Sequence, residues 1–277
     1  MSTPSVLKKI IATKHGEVEA RRNKKTRAAL ELEIAALEIP RNFHAALRER
    51  VAAGHPAVIA EFKRASPSAG WIREHADAAA VARAYADGGA ACMSVLTDSE
   101  YFRGGDDDLR TARAACELPV IRKDFVIDEY QVFETRALGA DAMLLIVAAL
   151  DDARLRDFSA LGAELGLSVL VEVHDRAELD RALAVPGSIL GINNRDLHRF
   201  VTRLETSEKL AGLVPDDRVV VAESGIHDRA DIERLQASGI HAFLIGEALM
   251  KGNDPATTLR ALIGSESGPQ TDTKDAD

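Results

Sequence analysis

The chain has 277 residues, 46% of them hydrophobic, and a formal net charge of -9. It is long enough to bury a large core, and its acidic balance argues against a nucleic-acid partner, whose phosphates need a basic surface. The sequence shows no apolar stretch near the roughly 18 residues of a membrane span and no signal-peptide pattern, and Cys92 and Cys116 lack disulfide or metal-site spacing, so we expect a cytoplasmic protein.

The first 50 or so residues predict three helices. Thr3-Pro4 is a good helix start, because Thr caps a helix and Pro is tolerated in its first turn. The first helix carries an apolar stripe of Val6, Leu7, Ile10 and Ile11. We expect its opposite, polar face to hold Lys8, Lys9 and Lys14. The second helix ends at Ile39-Pro40, and the third runs through Phe43, Leu47 and Val51.

From Ala57 onward the chain repeats a short β-prone apolar run, a polar loop, an amphipathic helix and a turn. The period is about 26 residues, which is typical of a strand alternating with a helix. Glycines at Gly88-Gly89, Gly139, Gly166 and Gly239 are placed to end helices in the left-handed conformation. The apolar runs centre on Ile59, Ser94, Ile121, Leu144, Val171, Leu190, Val221 and Phe243.

Eight such units predict an α/β fold, a closed (β/α)8 TIM barrel of parallel strands. Continuous apolar runs are typical of strands buried on both faces, and the intervening helices force parallel pairing. An open doubly wound sheet is disfavoured because no GxGxxG follows the first strand. We expect one barrel domain over residues 1–264, of which 1–55 form a helical extension, and a disordered polar tail over residues 265–277.

Charged and amide side chains stand where the apolar runs end. In a barrel these ends surround one mouth, where active sites lie. Glu61 and Lys63 are two positions apart and so project to the same side of the first strand. For any one such pair taken alone, a salt bridge that closes the end of a core strand is the more common explanation. Together, the runs bring a larger set to one pocket: Glu61, Lys63, Lys123, Glu172, Asn193, Arg195 and Glu223.

Two glycine-containing loops predict a phosphate site. Ser224-Gly225 and Gly246-Glu247 follow the seventh and eighth runs, and these loops bind phosphate through backbone N–H groups in many barrels. Tight turn geometry alone explains the same glycines. Residues 99–108 form either a mobile cover beside the mouth or a plain solvated connection.

Seven motifs, in this order and spacing, resemble indole-3-glycerol phosphate synthase in its monofunctional form. The similarity extends from about Val6 to Leu262, and it implies that the N-terminal helices pack over the barrel mouth. The motifs are IAEFKRASPSAGWI, SVLTDSEYFRGG, PVIRKDFVIDEYQVFETRALGADAMLLI, LVEVH, GINNRDL, AESGI and FLIGEALM.

The resemblance implies a carboxy-lyase of tryptophan biosynthesis, without cofactor or metal. Its reaction closes the ring of 1-(2-carboxyphenylamino)-1-deoxyribulose 5-phosphate, with loss of CO2 and water, to give indole-3-glycerol phosphate. Lys123 would be the general acid, and we expect neighbouring cations to lower its pKa towards working pH. Glu172 and Lys63 would act as acid/base groups, and Glu61 would position them. The role of Glu223 would be either to position the other catalytic groups or to contact the substrate.

The resemblance also divides the substrate-binding residues by charge. Arg195 and Lys63 would hold the anthranilate carboxylate, with Asn193 hydrogen-bonding nearby. Phe125 and Leu144 are candidates for an apolar wall, although either is more often simply core. The phosphate would contact Ser66, Ser224, Gly225, Gly246 and the backbone N–H of Glu247.

Other readings of the same residues remain. Lys123 or Lys63 could form a Schiff base in a sugar-phosphate aldolase, and the phosphate loops could hold FMN in a barrel without this activity. The related isomerase of the pathway is disfavoured, because it would want a thiol where Glu61 stands. A metal site has little support, since His174 and Glu172 have no further ligands clustered with them. We expect a monomer or weak homo-oligomer that acts on a small phosphorylated substrate.

Overall fold

Eight short apolar runs form the parallel strands of a closed barrel. The computed structural model describes residues 5–196 and 201–264. Each strand pairs with the next along the chain, and the last pairs with the first. All the expected strand centres lie in these strands, so the prediction of a (β/α)8 barrel is confirmed. In chain order the strands are β1 (Ala57–Phe62), β2 (Cys92–Leu96), β3 (Val120–Lys123), β4 (Ala142–Ile146), β5 (Ser168–Val173), β6 (Ile189–Asn193), β7 (Val220–Glu223) and β8 (Ala242–Ile245).

Helices alternate with these strands and precede the first of them. Most begin at an Asp, Asn or Thr whose side chain accepts a hydrogen bond from the first turn, as Asp77 does from the N–H of Ala80. The helices are α1 (Ser5–Lys24), α2 (Arg27–Ala35), α3 (Phe43–Ala52), α4 (Ala78–Asp87), α5 (Asp106–Ala115), α6 (Glu129–Ala137), α7 (Asp152–Glu164), α8 (Arg176–Ala182), α9 (Glu205–Ala211), α10 (Arg229–Ala237), α11 (Glu247–Lys251) and α12 (Pro255–Ile263).

The three N-terminal helices occupy different places around the barrel. Val6, Leu7 and Ile10 of α1 line the cavity at the mouth, as the family resemblance implied. Helix α2 packs against α6 on the outside of the barrel. Phe43 and Leu47 of α3 are fully buried against residues that include the first residues of the strands, so α3 closes the opposite end. The expectation of a cover over the mouth therefore holds for α1, whereas α2 and α3 lie elsewhere.

Lys14 does not lie on an exposed polar face of α1, and that expectation is wrong. Lys14 is only 2% exposed, and its ammonium lies 2.9 Å from carboxylate oxygens of Asp98 and Asp124. Positions 7, 10 and 14 follow the helical repeat, so Lys14 extends the buried stripe that Leu7 and Ile10 begin. The isolated lysine carries no sequence signal that separates a buried ion pair from a solvated charge.

The carboxylates that hold Lys14 belong to a larger buried network. Asp124 also accepts a hydrogen bond from the Thr97 hydroxyl at 2.6 Å and pairs with Arg122 at 3.3 Å. Asp98 accepts backbone hydrogen bonds from Tyr101 and Phe102, in the loop before α5. Lys14 therefore attaches α1 to the loops after β2 and β3, which border the mouth.

Two sequence expectations fall outside this description. The helix start at Thr3-Pro4 and the polar tail over residues 265–277 lie outside the described residues. Within residues 5–196 and 201–264, none of the helices combines the length and apolar character needed to cross a membrane.

We predict that Lys14→Met lowers the free energy of unfolding by about 3 kcal/mol, because it leaves buried carboxylates without one of their cations. Urea denaturation followed by circular dichroism measures the change. Lys8→Met, an exposed position of the same helix, is the matched control and should have little effect. Equal stability of the two variants would contradict a structural role for the Lys14 ion pairs.

Candidate active site

A cavity of about 200 Å³ opens at the carboxyl ends of the strands, under α1. All the site residues expected from the sequence contribute to its lining, so strand ends that are far apart in the chain do converge on one mouth. They are Glu61, Lys63, Ser66, Lys123, Phe125, Leu144, Glu172, Asn193, Arg195, Glu223, Ser224, Gly225, Gly246 and Glu247.

The two-residue period of a strand decides which side chains enter this cavity. Lys123 ends β3 and points into the barrel. Its neighbour Arg122 points outward, where it pairs with Glu134 of α6 at 2.8 Å. Adjacent positions on a strand face opposite sides. Lys123 therefore lies in the pocket, and Arg122 belongs to the ion network outside the barrel.

Lys123 lies between two buried carboxylates. Its ammonium nitrogen is 3.0 Å from Glu172 Oε2 and 2.5 Å from Glu223 Oε2. The other oxygen of Glu172 accepts a hydrogen bond from the Asn193 amide at 3.2 Å. The ends of β3, β5, β6 and β7 thus share one connected ionic array.

This array raises the pKa of Lys123, so the expectation of a lowered pKa is wrong. Burial disfavours the ammonium, but attraction to Glu172, Glu223 and Glu61 outweighs burial and holds the proton on the amine. The sequence showed the cations near Lys123 but not that carboxylates are its direct neighbours. At neutral pH the lysine is therefore fully protonated.

The two carboxyls that face Lys123 differ in their affinity for protons. Burial and the nearby charge of Glu172 raise the pKa of Glu223 to about 8, against the attraction of Lys123. Burial also opposes ionisation of Glu172, but Lys123 and His174 lower its pKa to about 2. When two acidic groups lie in close contact, the pKa of one rises and that of the other falls. Glu172 is therefore ionised near neutrality, whereas Glu223 carries a proton.

Lys63 and Glu61 form a second pair at the mouth. The Lys63 ammonium donates to Glu61 Oε1 at 2.7 Å. The carboxylate of Glu61 is buried beneath the loop after β8, where a Cβ on Gly246 would lie 2.6 Å from the same oxygen. A glycine at 246 therefore leaves room for the Glu61 carboxylate.

The loop after β7 has the backbone of a potential anion site. Ser224 and Gly225 both adopt left-handed conformations, with φ of 67° and 79°. That conformation is unfavourable for serine, and such strain is concentrated at functional sites. A Cβ on Gly225 would lie 2.5 Å from Thr202 Cγ2, so both space and conformation require glycine there.

Arg195 connects two loops at the rim. Its guanidinium donates to the Ser68 hydroxyl at 2.8 Å and lies 3.8 Å from Glu247 Oε2. Its backbone N–H donates to the Asn193 side-chain oxygen at 3.0 Å. Arg195 is thereby oriented beside the array of Lys123 and Glu172.

Several lining residues were not expected from the sequence. Phe102 lines the cavity with its ring centroid 6.1 Å from that of Phe125, so the loop before α5 supplies part of an apolar wall. Helix α5 begins at Asp106, which makes this loop shorter than the expected 99–108 segment. Ser68, Thr202 and His227 also line the cavity. A serine or aromatic in a loop carries no signal of its direction.

Comparison with known proteins identifies the family. The sequence model of indole-3-glycerol phosphate synthase matches residues 7–262. The chain belongs to the indole-3-glycerol phosphate synthase family. Members of this name from Leptothrix cholodnii and Acidithiobacillus ferrooxidans are 53% and 54% identical over 258 residues, which is 93% of this chain and 98% of each relative. The one from Variovorax paradoxus is 49% identical over 264 residues, 94% of this chain and 99% of the relative.

Solved structures at lower identity share the barrel. Thiamine phosphate pyrophosphorylase from Pyrococcus furiosus aligns with a TM-score of 0.57 at 18% identity, over 74% of this chain and 93% of its own. A mandelate oxidase mutant with an FMN adduct aligns with a TM-score of 0.57 at 19% identity, over 75% of this chain and 71% of its own. These likenesses show the fold alone.

Within the part of the chain that the structure describes, three or more His, Cys, Asp or Glu side chains nowhere form a group that could hold a metal ion.

We predict that Gly191→Ala lowers kcat about 100-fold, because a Cβ at this position of β6 overlaps Glu223 Oε1 and displaces the carboxyl from Lys123. Steady-state kinetics on the purified variant gives kcat, and urea denaturation checks that the barrel still folds. Gly212→Ala, at a position with open space, is the control and should keep full activity. Unchanged kcat in Gly191→Ala would show that the position of Glu223 is unimportant.

Proposed function

We propose that this mouth performs the ring closure of the indole-3-glycerol phosphate synthase family through the array centred on Lys123. The reaction converts 1-(2-carboxyphenylamino)-1-deoxyribulose 5-phosphate into indole-3-glycerol phosphate, CO2 and water. The observation that carries the proposal is the position of the Lys123 side chain between Glu172 and Glu223 in the cavity at the barrel mouth. The family membership and the coverage of almost the whole chain support the same reaction.

Lys123 is proposed as the general acid of the first step. An electron-rich aromatic carbon attacks the ketone, and negative charge grows on the carbonyl oxygen. A buried ammonium stabilises that charge in a medium of low dielectric, and the alkoxide that forms is basic enough to take its proton. The raised pKa of Lys123 keeps the ammonium charged until the alkoxide appears.

Glu172 and Lys63 are proposed for the proton transfers that follow decarboxylation, when a hydroxyl leaves and a proton is removed. The low pKa of Glu172 keeps this side chain unprotonated at neutral pH, as a proton acceptor must be. Glu61 positions Lys63 through their hydrogen bond, and Asn193 fixes Glu172. Glu223 positions Lys123 from the other side and, with a pKa of about 8, carries a proton near neutrality.

The two anionic ends of the substrate are assigned to opposite sides of the mouth. Arg195 and Lys63 are proposed to bind the anthranilate carboxylate, and Phe125 with Leu144 to contact the aromatic ring. The phosphate is proposed to bind the two strained or glycine-containing loops after β7 and β8, together with the loop after β1. The residues there are Ser66, Ser224, Gly225, Gly246 and the backbone N–H of Glu247.

The charge state of the lysines argues against a Schiff-base mechanism. A lysine nucleophile must lose its proton, and enzymes achieve this by desolvation or by neighbouring cations. Lys123 instead has carboxylates as its nearest charges and a raised pKa. The array is therefore suited to donating a proton and unsuited to forming a covalent imine.

We further propose that the protein acts in the cytoplasm, as a monomer or weak homo-oligomer, without a nucleic-acid partner. The net charge of -9 disfavours polyanions. The two cysteines are free thiols in the structure, as a reducing compartment would keep them. All the proposed site residues lie in one cavity of a single chain, which supports the proposal of a monomer.

We predict that Lys123→Ala keeps the circular dichroism spectrum of the wild type and lowers product formation at least about 1000-fold, because the general acid is lost. A fluorescence assay for indole-3-glycerol phosphate measures the rate. Lys209→Ala, an exposed lysine of α9, is the control and should be fully active. Retained turnover in Lys123→Ala would overturn the proposed roles.

We predict that Ser224→Gly raises KM about tenfold while stability stays equal or rises by up to about 1 kcal/mol. Glycine relieves the left-handed strain at φ of 67°, but the substitution removes a hydroxyl proposed to contact the phosphate. Kinetics and urea denaturation separate the two effects. Ser238→Gly, at φ of -95°, should instead lose stability with KM unchanged. An unchanged KM in Ser224→Gly would remove Ser224 from the phosphate site.

A further inference from the structure

His174 stands directly behind Glu172 at the end of β5. The two residues are two positions apart in extended chain, so their side chains project to the same side. His174 Nε2 lies 3.4 Å from Glu172 Oε1, and its Nδ1 lies 3.0 Å from Glu178 Oε2 on α8. The imidazole thus bridges a buried carboxylate of the mouth and a second carboxylate outside it.

The hydrogen-bond pattern fixes which ring nitrogen carries a proton. Glu178 Oε2 accepts the backbone N–H of His174 at 2.8 Å, so this oxygen acts as an acceptor and His174 Nδ1 must donate to it. If the ring were neutral, Nε2 would place a bare lone pair 3.4 Å from the acceptor oxygen Glu172 Oε1. A proton on Nε2 removes that repulsion and makes the ring an imidazolium.

The charges around the ring favour this imidazolium. Burial opposes the charge, but Glu178, Glu172 and Glu223 together raise the pKa of His174 above its ordinary value. These carboxyls come from α8, β5 and β7, and the cation nearest to them is Lys123, on the other oxygen of Glu172. His174 Nε2 is shielded from solvent and makes no hydrogen bond within the described residues, so its contact with Glu172 Oε1 is an ion-pair contact at 3.4 Å.

We propose that His174 is a positioning residue for Glu172: Glu178 holds the ring, and the protonated ring keeps the Glu172 carboxylate ionised and oriented for proton transfer. The proposal rests on the role given to Glu172 above. When the ring loses its proton, the lone pair of Nε2 repels Glu172 Oε1, and the carboxylate turns away from its position beside Lys123.

The expected pH dependence of activity follows from the protonation of His174. The raised pKa of His174 means that the ring is charged below that pKa and neutral above it. Activity should therefore fall on the alkaline side as the pH passes through the pKa of His174. Removing the carboxylate charge of Glu178 takes away one stabilising partner, so the fall should begin at lower pH.

The experiment compares pH profiles of kcat for the wild type and three variants. Glu178→Gln should move the alkaline fall down by about one pH unit. His174→Gln keeps a donor near Glu172 that does not titrate, and should abolish this fall. His174→Leu removes the donor and should lower kcat about tenfold. Glu164→Gln, an exposed carboxylate of α7, is the matched control and should leave the profile unchanged.

Imidazole NMR of the substrate-free protein provides an independent readout. His174 should titrate above its ordinary pKa of about 6.5 in the wild type and closer to it in Glu178→Gln. Superimposable pH profiles for wild type, Glu178→Gln and His174→Gln would overturn the proposal, and so would a wild-type His174 that titrates at or below 6.5. If the wild type formed no indole product, the proposed function would fail, while the NMR titration would still test the His174 pairing.

Discussion

The ion pair of Lys123 with Glu172 and Glu223 is the interaction on which the site depends. The partners are separated by 49 and 100 residues in the chain, and they meet because the barrel closes. A buried ammonium between two buried carboxylates is costly to desolvate and stable only when its geometry is held on all sides. The strands β3, β5 and β7 supply that geometry, since each fixes one side chain at its carboxyl end.

The same strands connect the site to the helix above it. Lys123 faces the cavity and Arg122 faces outward, whereas Asp124 connects Arg122 to Lys14 of α1. A displacement of α1 would therefore move Asp124, which is adjacent in the chain to Lys123, the proposed general acid. Helix α1, which covers the mouth, is held by Asp124, and the proposed acid Lys123 is the residue just before it at the end of β3.

Much of this was accessible from the sequence. Strand ends that carry charged groups, repeated at the period of a strand and helix, identify the barrel and about half of the residues that line the cavity, because the period of two fixes which side chains share a face. The direction in which the pKa of Lys123 shifts could not be predicted from the sequence. It depends on whether carboxylates, here Glu172 and Glu223, or a cation lie within 3 Å of the ammonium. The burial of Lys14 was equally invisible, because a lysine within an amphipathic helix is normally solvated.

The cations of the mouth are already paired with acidic side chains before any substrate arrives. Lys63 is paired with Glu61, Lys123 with Glu172 and Glu223, and Arg195 lies near Glu247. In the proposed reaction, an anionic substrate competes with these carboxylates for their cations. Each carboxylate that loses its cation becomes more basic, because a buried charge without a partner takes up a proton more readily. Substrate binding would thus convert groups that serve as counter-ions in the free protein into the bases required by the later proton transfers.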